Sequence, residues 1–439
     1  MSVLTREGYL VHVDDLTESD IDELTVTPGV FHPDDVPRTF EVFLDNDDGT
    51  VAVPRYWGEN KFGRVRGFSG DVHEAKNLIF EGVLRSKCQI RAAELSVKQL
   101  REVGGGVLCA MTGFGKTTVA LYVACVLKIK TLIVVHKQFL MDQWIERIKQ
   151  FVPSADVGKL RQKVIEVEDK DIVVGMLQSI AMRTYNSEVF DGFGLVIFDE
   201  VHVVPAPVFS RALFKSCAPC ILGLSATPER KDGMSYVIHW FVGPIFMELR
   251  LAGRAEIEVR VVHVQCKLKV NMSSRYAMAT VANKLCDDPE RNTLLVRVIK
   301  NLVATGRKVI VLSDRRAHCK VLNGILGDSS GLYFGGMKVH ELRESEAKDI
   351  LLCTYSYASE GLDIPGLDAL VLATPRSNVV QACGRILHGK SPNPVIVDVI
   401  DDWFLGVAQF QKRKKYYDEA GFTISCAAEA TRVIGALCI

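Results

Sequence analysis

No run of eighteen apolar residues occurs in this 439-residue chain, so a membrane-spanning helix is not expected. The opening residues, MSVLTREGYL, lack both the basic stretch and the apolar core of a secretory leader. The twelve cysteines are scattered through apolar runs, as at Cys109, Cys125 and Cys353. That excludes a dense disulfide framework and suits buried thiols in a reducing, intracellular compartment. The closest pair, Cys217 and Cys220, has metal-like spacing but no second pair or histidine cluster beside it, so structural thiols are expected rather than zinc. Net charge is absent as well. The 53 basic residues balance 53 acidic ones, which by itself speaks against a polyanionic partner.

That balance conceals an asymmetry. Residues 1–60 carry fourteen Asp and Glu against three Arg, which leaves 50 basic and 39 acidic residues for 61–439. An acidic front therefore precedes a body of net charge +11, able to hold a polyanion. Within 1–78, apolar alternation is broken by turn clusters at Asn46–Gly49 and Pro54, the mark of a small β-containing accessory domain. Its acids read as solvated surface.

From Phe80 onward, strand-like apolar runs alternate with helical ones. Strands are expected at 107–109, 131–136, 172–176, 195–198 and 221–225, then at 308–312, 350–354, 369–373 and 395–399. A helix is expected over 138–151, with apolar residues at Phe139, Leu140, Trp144, Ile148 and Phe151. Another runs to Val303 behind Asp288, Pro289 and Glu290, which supply an N-cap, a first-turn proline and an early acid. Near-continuous apolar strands with helical crossovers make parallel sheets covered on both faces. The fold class is α/β, with parallel-sheet domains over 79–249 and 250–439 behind the accessory domain of 1–78. Only the first carries a phosphate loop, so a site shared between the two is expected.

That loop is AMTGFGKT, Ala110 to Thr117, between an apolar strand and an apolar helix. Gly113 and Gly115 let the backbone curl so that successive N–H groups face an anion. Lys116 brings charge to the β- and γ-phosphates, and the Thr117 hydroxyl is a Mg²⁺ ligand. Thr112 and Thr118 complete the nucleotide-binding set, while Ala110 replaces the first glycine of the common pattern. VIFDEVH, Val196 to His202, ends a buried strand in two adjacent carboxylates. Asp199 would hold Mg²⁺ through water, and Glu200 would orient the water that attacks the γ-phosphate. Further on, LGLSATPERKDG sets Ser225 and Thr227 where they could bond the 199–202 turn, with turn capping as the plainer role. VVQACGRILHGK puts Gln381 and Arg385 on a helix. Arg385 reads either as a finger for the γ-phosphate or as a surface arginine.

In this order the motifs resemble those of superfamily 2 helicases of the DEAD/DEAH type, from Phe80 to the C-terminus. The DEVH box and SATPERKDG are most similar to the DNA-directed branch. That branch holds transcription and repair helicases, a phage recombination helicase and the transcript-release helicases of large cytoplasmic DNA viruses. The resemblance implies two RecA-like domains that hydrolyse Mg-ATP and step along a nucleic acid, DNA before RNA, by sequence-independent backbone contacts. Transcription or replication machinery would be a further partner, and host cytoplasm, nucleus or virion the compartment. It assigns Gln89 to the adenine edge, and Lys116, Glu200, Asp199 and Arg385 to catalysis. Gly361 and Asp363 are assigned to the ribose and the strand backbone, and His202, Ser225, Thr227 and Gln381 to coupling. His136, Lys137, Gln178, Ser179 and Thr354 fall to the nucleic-acid backbone.

Two departures bear on this. The family's QxxGRxxR ends in arginine, where this chain has His388. A free histidine of pKa near 6.5 is only about a quarter protonated at pH 7. Arg385 alone, a charged His388, Lys390 or slow hydrolysis would each accommodate that change. Three residues also separate Gln89 from Arg85, where the family's LRxxQ has two. The late run Lys412-Arg413-Lys414-Lys415 before Tyr416 and Tyr417 suits either a backbone-binding helix or a solvated face. Three rival functions remain at this level: an RNA helicase of the same architecture, a phosphate-loop NTPase that touches no nucleic acid, and an ATP-binding scaffold with degraded catalysis, which His388 would motivate.

Overall fold

The computed structural model describes residues 2–27, 39–65, 67–111, 113–203, 210–226, 233–249, 257–264, 277–358, 364, 366–386 and 393–425. The chain divides into two compact units, Met1–Leu249 and Arg250–Ile439. No helix among the described residues is long and apolar enough to cross a membrane.

The first unit is built on an eight-stranded sheet. Its order from one edge is Val164–Ile165, Val157–Arg161, Ile172–Met176, Thr131–Val135, Leu195–Asp199, Cys220–Ser225, Gly105–Ala110 and Ile245–Leu249. All neighbours are parallel except the first pair, a hairpin. The central strands are buried along nearly their whole length, as valine- and leucine-rich runs covered on both faces must be. Helix Gln138–Phe151 buries Leu140, Met141, Trp144 and Ile148, one stripe at three- and four-residue spacing. The short strands at 157–161 and 245–249, next to one edge and at the other, escape the sequence pattern: the first is interrupted by Lys159 and Arg161, and the second is only partly buried.

Residues before 78 form a five-stranded sheet in the order Leu44–Asp45, Thr50–Val53, Gly8–His12, Val3–Thr5, Phe68–Ser69. Tyr9, Val11, Leu24, Val51, Val53 and Trp57 make its own core. Leu4, Val26, Val42 and Ala52 join the core that contains Val107, Val134 and Phe198 of the parallel sheet. Arg55 fastens the join: buried beside Glu59, it donates to the carbonyls of Pro219 at 2.9 Å and Val103 at 3.3 Å. The acids of the 14–23 segment are exposed except Asp20, which is buried and bonded to Thr17 and Lys61.

The second unit holds a seven-stranded, all-parallel sheet. Its order is Ser330–Tyr333, Ile350–Thr354, Lys308–Ser313, Leu367–Leu372, Val395–Asp401, Glu258–Val264, Thr423–Ser425. Helix Pro289–Ala304 opens as expected, with Asp288 accepting from the N–H groups of Glu290 and Arg291 at 2.9 and 3.1 Å. The basic run near the end is not a uniform surface. Arg413 is 2% exposed, with two 2.8 Å bonds to Asp398, and Tyr417 is fully buried. Only Lys412, Lys414 and Lys415 are left at or near the surface.

Candidate active site

In a parallel sheet all strands deliver their C-terminal ends to one edge, and here that edge gathers the chemistry. Cys220–Ser225 lies between Gly105–Ala110 and Leu195–Asp199, with Ser225 paired to Cys109 and Leu224 to Asp199. The phosphate loop and the paired carboxylates therefore leave the sheet two strands apart, about 10 Å, with Ser225 between them.

The loop is shaped for an anion. Gly113 and Gly115 take φ of 71° and 90°, in the left-handed region where a side chain is strained. Gly115 caps helix Lys116–Leu127, so that helix's N–H groups open towards the loop. The Lys116 ammonium donates to the carbonyls of Ala110 at 2.7 Å and Met111 at 3.4 Å. Thr117 and Thr118 follow in the first turn, half-buried. Thr112 lies outside the described residues.

Across from the loop, Asp199 Oδ2 accepts a 2.8 Å bond from the indole N–H of Trp144. Burial, then the charge of Glu200, push the Asp199 carboxyl up to about 6, against the pull of Trp144 and Lys116. Glu200 itself has φ of 53°, a conformation that costs a non-glycine residue on the order of 1–2 kcal/mol. Its Oε2 is buried without a hydrogen bond among the described residues, 3.4 Å from His202 Nδ1. Two neighbouring carboxylates, Asp199 raised by burial and Glu200 with a buried oxygen unbonded among the described residues, with the Thr117 hydroxyl on the facing loop, are a donor set for a hard divalent cation. Mg²⁺ fits it, because that ion takes one or two carboxylates and leaves its other positions to phosphate and water. Ser225, fully buried, has its hydroxyl 3.5 Å from His202 Nδ1.

The residues assigned to a nucleic-acid backbone are placed less uniformly. Burial, then Lys137 and His202, push the His136 imidazole down to about 4, so it is neutral at physiological pH, and its buried Nδ1 has no partner among the described residues. Lys137 is half-buried and Gln178 exposed. Ser179 is 8% exposed, its hydroxyl accepting from the Gln162 N–H at 3.0 Å. Thr354 ends its strand in the second unit, 3.2 Å from the Ser356 hydroxyl. Gly361, Asp363, Thr227 and His388 lie outside the described residues. Gln381 and Arg385 belong to helix Val380–Ile386, and their side chains are likewise outside.

Gln89 meets the loop, though not as an open amide. It is 6% exposed; its Oε1 accepts from the Arg85 N–H at 2.5 Å and its Nε2 donates to the Phe114 carbonyl. Trp144 is the residue that sequence reasoning left among the core apolars. The usable signal was its indole N–H, which needs a partner once buried. Cys217 and Cys220 are free thiols, both pushed up by burial. No group of three or more His, Cys, Asp or Glu suited to a metal occurs among the described residues.

A phosphate loop, an Asp-Glu pair and a hydroxyl strand end on one parallel sheet, followed by a second parallel-sheet unit, define a two-unit phosphate-loop ATPase. Residues 83–230 match the family model described as Type III restriction enzyme, res subunit. The chain is 32% identical over 450 residues to a protein of Acanthamoeba polyphaga mimivirus whose name assigns it to the ATP-dependent RNA helicases, covering 96% of this chain and 86% of that protein. It is 27% identical over 369 residues to a similarly named protein of African swine fever virus, covering 75% and 72%. Among solved structures, S. cerevisiae Dbp5 bound to RNA and ADP BeF3 aligns with a TM-score of 0.55 at 14% identity, over 79% of this chain and 91% of that one. That likeness bears on the fold, which is the two-domain RecA-like arrangement. The chain belongs to the family of ATP-dependent helicases represented by these viral proteins.

Proposed function

We propose that this ATP-dependent helicase is a nucleic-acid-stimulated motor that moves along one strand of DNA, in transcription, recombination or repair. The reading rests chiefly on one observation, the register that brings Ala110, Ser225 and Asp199 to adjacent strand ends. Lys116 and the loop N–H groups hold the phosphates, while Thr117 and Asp199 hold Mg²⁺, with Trp144 fixing the Asp199 carboxylate. Bound Mg²⁺ neutralises charge on the β- and γ-phosphates. Glu200, whose buried Oε2 has no hydrogen bond among the described residues, orients the attacking water. His202 and Ser225, with Thr227 and Gln381, carry the state of the γ-phosphate to the neighbouring strand ends. Arg385 is assigned to the transition-state charge, and Gly361 with Asp363 to the ribose. Lys137, Gln178 and Thr354 grip the strand, supported by neutral His136 and inward-facing Ser179. Free thiols throughout the described residues suit a reducing compartment.

Lys116→Ala is expected to abolish hydrolysis. Glu200→Gln should keep ATP binding while turnover falls by about 10²–10⁴-fold, read as phosphate release beside fluorescent-nucleotide binding. Hydrolysis retained in either variant would remove the site assignment. A second reading, RNA as the strand, is favoured by the names of the viral relatives. ATPase rates with single-stranded DNA, duplex DNA and RNA at two salt concentrations separate the two. Stimulation by RNA alone would replace DNA as the track, and indifference to every strand would remove the motor.

A further inference from the structure

The amide of Gln89 is committed at both ends. Gln89 is the third residue of helix Lys87–Glu102, and its backbone N–H donates to the capping hydroxyl of Ser86 at 3.2 Å. Its Oε1 reaches back to the Arg85 N–H at 2.5 Å, a variant of the reciprocal cap in which a side chain three residues into the helix satisfies a backbone donor before it. Its Nε2 donates to the Phe114 carbonyl. Phe114 directly precedes Gly115, and a Cβ built on Gly115 would stand 2.5 Å from Gln89 Nε2. The amide is thus wedged against the turn that opens the phosphate-binding helix.

The effect on the loop follows from counting its carbonyls. Those of Ala110 and Met111 accept from Lys116 Nζ, Met111 O also accepts from the Phe114 N–H at 3.3 Å, and Phe114 O accepts from Gln89. With these acceptors tied, the loop presents N–H groups, as an anion site requires. Lys116 must turn to the phosphates when a nucleotide arrives. Gln89 is anchored at its other end by the Arg85 N–H, and so is the donor that can hold the turn through the cycle.

We propose that Gln89 is a positioning residue of the phosphate loop rather than a reader of the adenine edge. The extra residue between Arg85 and Gln89, relative to the family spacing, is what brings it into the helix cap with its amide on Phe114. Resting on the nucleotide-site reading above, this means that phosphate affinity depends on Gln89 and base preference does not.

The test uses the full chain and two variants. Gln89→Glu keeps an acceptor for the Arg85 N–H but loses the donor to Phe114, and Gln89→Ala loses both. Tripolyphosphate, which has no base, is titrated by calorimetry into each protein with Mg²⁺ present. Its affinity should fall by about tenfold in Gln89→Ala, the order expected for one buried hydrogen bond left unmade, and by at least as much in Gln89→Glu, where a buried carboxylate is added, with melting curves showing that each variant folds. The ratio of kcat/KM for ATP over GTP, with a saturating strand, should stay within about threefold of wild type. Collapse of that ratio towards one, or tripolyphosphate affinity within twofold of wild type, overturns the proposal. A wild type that hydrolyses no nucleotide would overturn the motor reading instead, and the tripolyphosphate arm would still decide on Gln89.

Discussion

At the scale of single residues, the candidate site is set by groups whose types the sequence announces and whose partners it does not. The place of Asp199 and Glu200 at a strand end near the phosphate loop was legible, because the apolar run Val196–Phe198 before them reads as a buried strand. The bond from Trp144 was not, because an indole at helical spacing reads first as apolar bulk. Its consequence is testable. Trp144→Phe keeps the packing but removes the 2.8 Å donor to Asp199, and a lost bond to a charged group is worth roughly 1.5–3 kcal/mol. Mg²⁺ dependence of the ATPase should therefore shift about tenfold or more to higher metal, with kcat recovered in part at saturation. An unchanged Mg²⁺ titration would leave Trp144 a core residue only. His318 offers a second case. Buried between Ser313 and Asn292 at 3.0 and 2.9 Å, it is pushed down to about 4, first by desolvation and then by Arg291. A lowered histidine pKa means that the folded state prefers the neutral ring. The stabilisation is complete above the unfolded pKa near 6.5 and fades as pH falls towards 4, at most on the order of 3 kcal/mol. Melting curves between pH 4 and 7 should slope less steeply for His318→Gln, which keeps both neighbours bonded without a proton to gain.

Among elements, the helix Phe404–Glu419 shows why a charge run is hard to read alone. Four consecutive basic residues point in four directions around a helix, a hundred degrees apart. Arg413 shares its face with Tyr417, four residues on, and that face is the buried one. The apolar partner at this spacing was in the sequence, and with it the distinction between Arg413 and its neighbours. Arg413 makes a double bond-pair with Asp398, while Tyr417 donates to the same carboxylate at 2.9 Å. Removing the cation strands a buried Asp398, so Arg413→Ala should cost about 3–5 kcal/mol. Lys415→Ala, on a side chain 81% exposed, should cost at most a few tenths of a kcal/mol. Denaturant titration compares them directly, and equal costs would contradict the buried pair. The central strands were legible for the opposite reason, since runs such as Thr131–Val135 admit no amphipathic alternative. The strands at 157–161 and 245–249 were not, because the first carries Lys159 and Arg161 within five residues and the second is a short, partly buried run that periodicity alone does not separate from a helix.

For the whole molecule the open quantity is where the charge that holds a strand resides. Of the five residues assigned to the backbone, Lys137 alone is cationic at neutral pH, since His136 is pushed down to about 4 and the others carry no charge. A single cation would give a salt slope of only about −0.7 on a single strand. The body of the chain nonetheless has an excess of eleven basic residues once the first sixty are set aside. If roughly five of them meet phosphates, affinity should drop about a hundredfold between 50 and 200 mM salt. Lys137→Ala should then weaken binding to every sequence alike and flatten the slope by about 0.7, leaving most of it intact. Fluorescence anisotropy with a labelled single strand, repeated over that range, reads both numbers. A wild-type slope near −0.7 would confine the electrostatic grip to Lys137 and leave the remaining contacts to uncharged hydrogen bonds, whereas a steep slope untouched by Lys137→Ala would take that residue off the strand altogether.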